Sequence, residues 1–478
     1  MDSASLQFVL FGLAVAIISN FSRSQLWRST VLMLASLGFL AMLAQDPILF
    51  LPLAGFLLLG FLGLTLIRHG LSRYLTVLVI LVVLAYAWLK KYTFLPEGIF
   101  LHHPYFTLGL SYIFFRVLHL LIETADGDEK RQINIGTYLL YTLNFTTFVS
   151  GPIQRYDDFA RDQFASQPIA LGPRVIGLQL ERIIRGFFKV NVLSMLIDAV
   201  RQDALAQMSQ PLPISLKMFS AFRLAILYPF FLYCNFSGYI DIVIAIARLM
   251  RLELPENFDR PFSASSFLDF WNRWHITLSK WLKSYVYNPL LLALMRRVSS
   301  LALQPYLGVL CFFVTFFLVG IWHGRTSEFV VYGFLQGGGI AVNKLWQLEL
   351  TRRLGRKGYR ALATNPVYIA FGRGLTFSWF ALTLFWLWAS WGQLNQVFAA
   401  IGAIRWAEIW LASWLTATIV LALWELLRGR TLSIQTAGQP IFTSRYARVA
   451  FASALALVAF VVTILLNQPA PDIIYRAF

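Results

Sequence analysis

Two histidines set the chemistry this sequence could do. His323 closes an apolar run from Leu307 through Gly320, in the string Ile321-Trp322-His323-Gly324-Arg325. His275 lies upstream in an aromatic-rich segment that includes Phe270, Trp271 and Trp274. Imidazole is the side chain whose ordinary pKa lets it accept and return a proton near neutrality. A hydroxyl that attacks an acyl carbonyl must lose its proton, and a neutral imidazole within hydrogen-bond reach takes it. Burial among apolar groups favours that neutral form. An ionisable group set into membrane-type sequence is by default a candidate functional site. Plainer alternatives stand beside this one: His323 as a helix-end imidazole bonded to a carbonyl, and His275 as an interfacial anchor.

The other histidines are weaker candidates. His102 and His103 precede Pro104 and read as loop residues, and His69 follows Arg68 in a basic cap. His119, one helical turn from Arg116 and Glu123, fits a buried polar cluster. Several chemistries lack their motifs. The sequence contains no Gly-x-Ser-x-Gly elbow, no Gly-x-x-x-x-Gly-Lys phosphate loop and no His-Glu-x-x-His pair, so no metal site is expected. Cys234 and Cys311 both fall in apolar stretches and suggest neither a disulfide framework nor a zinc site.

The elements that must position these residues belong to a membrane. Of 478 residues, 58% are hydrophobic and 13% charged, against about 25% charged in a soluble domain. A span needs roughly 20 apolar residues. Such stretches recur from 6–21 to 447–467, and about 11 to 13 crossings are expected by that length. The expected fold is therefore all-α: one polytopic transmembrane helical bundle over 1–478, with re-entrant and interfacial helices. The net charge of +17 is spread over short loops. That distribution fits orientation by the positive-inside rule and attraction to anionic lipid, and no nucleic-acid partner is expected. The N-terminal run Leu6–Ser19 lacks a preceding basic region and is read as an uncleaved span. Links at Asp126–Arg131, Gln154–Arg161 and Arg428–Thr443 carry most turn and charge signals.

Three segments depart from plain spans. The stretch 219–250 carries Asn235, Ser237, Gly238 and Asp241 in its middle, and a broken helix is expected there. Apolar residues of Phe267–Leu291 recur at i, i+3, i+4 and i+7, which predicts one amphipathic interfacial helix. His275 falls roughly 80° from the centre of that stripe, between its dry and wet sides. Gly337, Gly338 and Gly339 sit in an apolar helix, where small residues permit close packing.

The ordered strings Asn235-Phe-Ser-Gly-Tyr-Ile-Asp241, Pro255-Glu-Asn-Phe-Asp-Arg-Pro-Phe262, Asp269-Phe-Trp-Asn-Arg-Trp-His-Ile-Thr-Leu-Ser279 and Gly320-Ile-Trp-His-Gly324 closely resemble the bacterial membrane-bound O-acyltransferases. Gly109-Leu-Ser-Tyr-Ile-Phe-Phe115 and Phe148-Val-Ser-Gly-Pro-Ile153 also look like landmarks of that family. The resemblance runs over about 105–345. It points to two branches: the D-alanyl transfer protein of lipoteichoic acid modification, to which the motifs look closer, and the alginate O-acetyltransferase.

The resemblance implies a funnel through thinned membrane with His323 as catalytic base and His275 as second histidine. It implies an acyl group, acetyl or D-alanyl-like, taken from a cytoplasmic thioester donor. That donor would be acyl-CoA or a carrier protein's acyl-phosphopantetheine, with no cofactor held permanently. The acceptor would be a hydroxyl of a cell-envelope polysaccharide or polymer, reached directly or through an accessory SGNH-type transferase. Asn235, Asp241, Arg273, Trp274 and Trp322 are expected to line the substrate path, although helix packing and snorkelling explain some of them equally well. The location implied is the bacterial inner membrane. A transporter or flippase of an envelope precursor is the competing class, because broken helices would suit it too.

Overall fold

A computed structural model of the protein describes residues 5–44, 46–127, 133–431, 442 and 444–466. The charged links at Asp126–Arg131 and Arg428–Thr443 fall largely outside them. Every regular element among the described residues is helical, and the one β feature is an isolated antiparallel bridge between Phe258 and Trp274. Seven helical stretches are long and apolar enough to cross a bilayer: Gln25–Leu43, Pro47–Lys90, Ile214–Leu249, Gln304–His323, Pro366–Trp388, Ala403–Leu427 and Arg445–Leu465. Pro47–Lys90 itself contains two helices, Leu51–Leu66 and Leu75–Lys90, which turn at Gly70 with φ +90°. Leu6–Ser19 is apolar but shorter.

The remaining difference from 11 to 13 crossings has a physical cause. Some apolar segments break where a polar side chain takes over the main-chain hydrogen bonds. The stretch 136–151 becomes two short helices, Ile135–Thr142 and Phe145–Phe148. Asn144 accepts from the Thr146 amide at 3.1 Å and starts the second. Arg116, only 2% exposed, donates to the carbonyls of Tyr141, Thr142 and Thr147. A cation at a helix C-terminus is favourable, and here it allows a chain break at depth that hydrocarbon alone forbids.

Contacts divide the chain into two compact units. One comprises Met1–Val190, Gly238–Pro255 and Phe451–Phe478; the other comprises Asn191–Ser237 and Glu256–Ala450. In the first, His119 joins the polar cluster its spacing suggested. Its Nε2 accepts from the Tyr156 amide at 3.0 Å, and its Nδ1 lies 3.6 Å from Glu123. Asp241 is bound on two sides, by Arg182 Nε at 2.9 Å and Lys189 Nζ at 2.7 Å.

The expected break within 219–250 is absent. Ile214–Leu249 is one helix of 36 residues, with Pro229 inside it. Its polar middle packs sideways instead. A Cβ on Gly238 would lie 2.7 Å from the Gly186 carbonyl oxygen, so the two backbones meet there. Asp241, three residues on, is satisfied by side chains and leaves the helical ladder intact.

The second unit is organised by a helical hairpin, Gln304–His323 followed by Ser327–Ala363. Its seam is built from glycine. A Cβ on Gly320 would collide with the Gly333 backbone, and one on Gly337 would lie 2.5 Å from the Phe313 carbonyl oxygen. The expected packing role holds for Gly337 and also for Gly339, whose Cβ would meet the Trp379 indole, but Gly338 faces open space. Gly320→Ala should therefore cost about 1–3 kcal/mol through overpacking, while Gly338→Ala is neutral or stabilising through helix propensity. Thermal unfolding of the two purified variants checks this, and equal midpoints would contradict the seam.

Candidate active site

His323 is the last residue of its helix and 1% exposed. Gly324 follows in extended conformation, and a Cβ there would overlap the Phe329 ring, so the turn into the next helix is tight. That turn brings Tyr332 edge-on to the His323 imidazole, with ring centroids 5.6 Å apart. Trp322 lies against the same imidazole at 4.8 Å.

His275 is fully buried and stands in the same unit. The single amphipathic helix expected over Phe267–Leu291 is not formed. Short helices Phe267–Trp271 and Ile276–Leu282 flank His275, and a π-helical turn and the helix Asn288–Arg297 follow. The chain breaks because His275 takes left-handed angles, φ +45° and ψ +51°, a conformation that L residues other than Asn, Asp and His rarely adopt. The apolar stripe still serves as packing surface, turned into the protein: Phe267, Phe270, Trp271, Trp274, Leu278, Trp281 and Leu282 are all buried.

An extended segment after Pro255 holds that left-handed turn. The Asn257 carbonyl accepts from the Ile276 amide at 3.0 Å, and its Oδ1 accepts from the Thr277 amide at 3.0 Å and hydroxyl at 2.9 Å. The bridge between Phe258 and Trp274, and the Asp259 amide donating to the Arg273 carbonyl at 2.9 Å, continue the pairing. The Asn257 Nδ2 is buried with no acceptor among the described residues.

The two imidazoles flank one indole. Trp322 sits 4.8 Å from the His323 ring and 6.4 Å, edge-on, from the His275 ring. Phe236 covers another side of His275 at 5.0 Å, and its neighbour Asn235 is fully buried. Burial pushes the His275 imidazole down to about 3, against a smaller opposing hydrogen bond with its own backbone, so the ring is neutral near pH 7.

The remaining expected residues divide. Trp274 is a core aromatic, against Phe258 at 5.0 Å and Phe380 at 5.2 Å. Arg273 is half-buried and bound to Asp269 at 3.0 Å, with Asp259 at 3.8 Å. Asp241 belongs to the other unit, where Arg182 and Lys189 hold it. Asn257, Tyr332 and Phe236 were not singled out by the sequence reading. Asn257 sat within the Pro255–Phe262 string without a role. Tyr332 was signalled only by the Gly324-Arg325-Thr326 break, which folds the next helix back beside the last turn of the previous one.

Two buried imidazoles close to one indole are a constellation suited to proton transfer. The sequence model of MBOAT, the membrane-bound O-acyltransferase family, matches residues 34–384, and the chain belongs to that family. It is similar to the teichoic acid D-alanyltransferase of Streptococcus thermophilus, 30% identical over 57% of this chain and 65% of the relative. It is similar to the same-named protein of Bacillus subtilis, 28% identical over 48% of this chain and 58% of the relative. The probable alginate O-acetylase AlgI of Pseudomonas fluorescens is 29% identical over 58% of this chain and 50% of the relative. The chain thus spans between half and two thirds of the length of these relatives, and the identities do not separate the two branches.

Two measurements probe the His275 turn. Asn257→Ala removes the acceptor that the Thr277 amide and hydroxyl share, which should cost about 1–3 kcal/mol, whereas Arg273→Ala, losing partly exposed ion pairs, should cost under about 1 kcal/mol. Similar unfolding midpoints for the two would contradict the clamp. The second concerns acid. Between His275's ordinary value of 6.5 and its folded value of about 3, the unfolded chain binds a proton that the folded chain does not. Stability contributed by neutral His275 is thus complete above 6.5 and is lost as pH falls through that window. His275→Asn, with a residue tolerant of left-handed angles, should lose less thermal stability between pH 7 and pH 4.5 than the parent protein.

Proposed function

We propose that this protein is an O-acyltransferase of the bacterial inner membrane that moves an acetyl or D-alanyl-like group onto a hydroxyl of a cell-envelope polysaccharide or polymer. The observation that carries the reading is the pair of buried imidazoles on either side of Trp322, inside a chain of the membrane-bound O-acyltransferase family. The names of the relatives, teichoic acid D-alanyltransferase and probable alginate O-acetylase, suggest the two candidate acyl groups.

In the proposed reaction the donor is a thioester presented from the cytoplasm, on coenzyme A or on the phosphopantetheine of a carrier protein. His323 takes the proton of the acceptor hydroxyl as its oxygen attacks the thioester carbonyl. The carbon–sulfur bond then breaks, the ester remains on the acceptor, and the imidazolium returns its proton to the departing thiolate. His275, neutral at working pH, donates a hydrogen bond that orients and polarises the thioester carbonyl. Asn235 and Trp322 line the reacting space. Arg273 would reach the anionic donor by exchanging its Asp269 and Asp259 partners, and Trp274 backs the His275 turn from the aromatic core. Asp241 anchors the helix that also carries Asn235. An accessory SGNH-type transferase is the expected relay if the acceptor polymer is not acylated directly. The interrupted helix expected within 219–250, one support for the transporter alternative, is continuous as Ile214–Leu249.

Purified protein in detergent, given a radiolabelled acyl thioester and candidate acceptors, should form labelled ester without any second compartment. His323→Ala should abolish transfer while accumulating normally. His275→Asn should lower kcat by about a hundredfold, the scale of one lost carbonyl-polarising donor, with the acid limb of the pH profile unmoved because His275 does not titrate there. Full activity of His323→Ala, or a shifted acid limb in His275→Asn, would sink these assignments.

A further inference from the structure

The second unit contains a cavity of about 700 Å³ lined by none of the residues assigned to the site. Its walls come mainly from three helices, Gly338 and Val342 of Ser327–Ala363, Leu375 and Trp379 of Pro366–Thr383, and Trp410 and Trp414 of Ala403–Thr431, together with the segment that holds Phe267. The lining is overwhelmingly apolar. Two of the three helices contain candidate membrane spans, and the lining residues Phe334, Val342 and Phe371 are exposed, so the open side meets hydrocarbon. The volume falls in the range of cavities that hold drug-sized ligands.

The cavity is not uniformly dry in its chemistry. Trp414 donates its indole N–H to the Phe371 carbonyl at 3.1 Å, and Trp346, also on the wall, donates to the Tyr368 hydroxyl at 3.2 Å. The Nε1 atoms of Trp379 and Trp410 are buried, and that of Trp379 packs on Gly339. The cavity therefore sets two requirements on a ligand, its size and an apolar body.

Charge supplies the third requirement. The same helix that contributes Gly338 turns at Gly355, with φ +68°, and continues through Arg356, Lys357 and Arg360, all exposed and none in an ion pair among the described residues. Tyr359 and Ala363, interleaved with them, line the cavity. A cationic turn beside an apolar slot favours an anionic headgroup.

We propose that this cavity is a binding site for one anionic glycerophospholipid of the surrounding bilayer. An acyl chain lies between the three helices, and the phosphate meets Arg356, Lys357 and Arg360.

The test is native mass spectrometry of the full-length protein in mild detergent after equilibration with phosphatidylglycerol or with phosphatidylcholine. One phosphatidylglycerol should survive activation that strips other lipids, and phosphatidylcholine should be held at least about fivefold less. Gly338→Leu fills the cavity from a position where a Cβ meets nothing within 4 Å, and it should abolish retention without lowering the lipid-free unfolding midpoint. Neutralising Arg356, Lys357 and Arg360 to Gln should erase the preference between the two lipids. Undiminished retention by folded Gly338→Leu would overturn the site, and equal retention of both lipids by the parent protein would overturn its anionic ligand. Acyl transfer is not the readout, so either outcome is independent of the proposed reaction.

Discussion

In hydrocarbon, every polar group must find its partner inside the protein. That constraint shapes this molecule more than any preference for helix. Arg116 can be buried because three main-chain carbonyls surround its guanidinium. Asp241 can sit in the middle of an apolar, unbroken helix because Arg182 and Lys189 hold both of its oxygens. The backbone at His275 can leave the helical conformation because Asn257 takes up the amides that the turn releases. Each irregularity exists where a side chain has already replaced water.

The same rule decides what was legible in the sequence. Helical class and membrane location follow from composition alone, and both histidines could be picked out by residue type and setting. The seam of Gly320, Gly333 and Gly337 was visible in part, through the glycine run of the second helix. Two breaks were not read correctly, for a common reason. The stretch 219–250 looked too polar to stay helical, yet its partners lie on the helix Pro173–Phe188, far away in sequence. Phe267–Leu291 looked like one regular helix, yet Asn257, upstream of it, pulls the chain out of register. Periodicity reports a residue's own turn of helix and cannot report the side chain that arrives from elsewhere. Asn257 and Tyr332 escaped notice for the same reason, since neither carries chemistry until the fold places it.

Family membership and geometry answer different questions about the site. The match over 34–384 fixes the class to which the chain belongs. The geometry distinguishes residues within the motif strings: Trp322 touches both imidazoles, Trp274 belongs to an aromatic core, and Asn257 organises the backbone. Residues of one string can thus have unrelated physical tasks.

The left-handed turn at His275 ties chemistry to local melting. The backbone angles set where its Cα–Cβ bond points, and those angles are held by a few hydrogen bonds to Asn257. If those few bonds open, the histidine is misplaced while the long helices around it stay intact. With His275 in the role proposed above, the clamp would be a fuse, its opening silencing the site while the bundle stays folded.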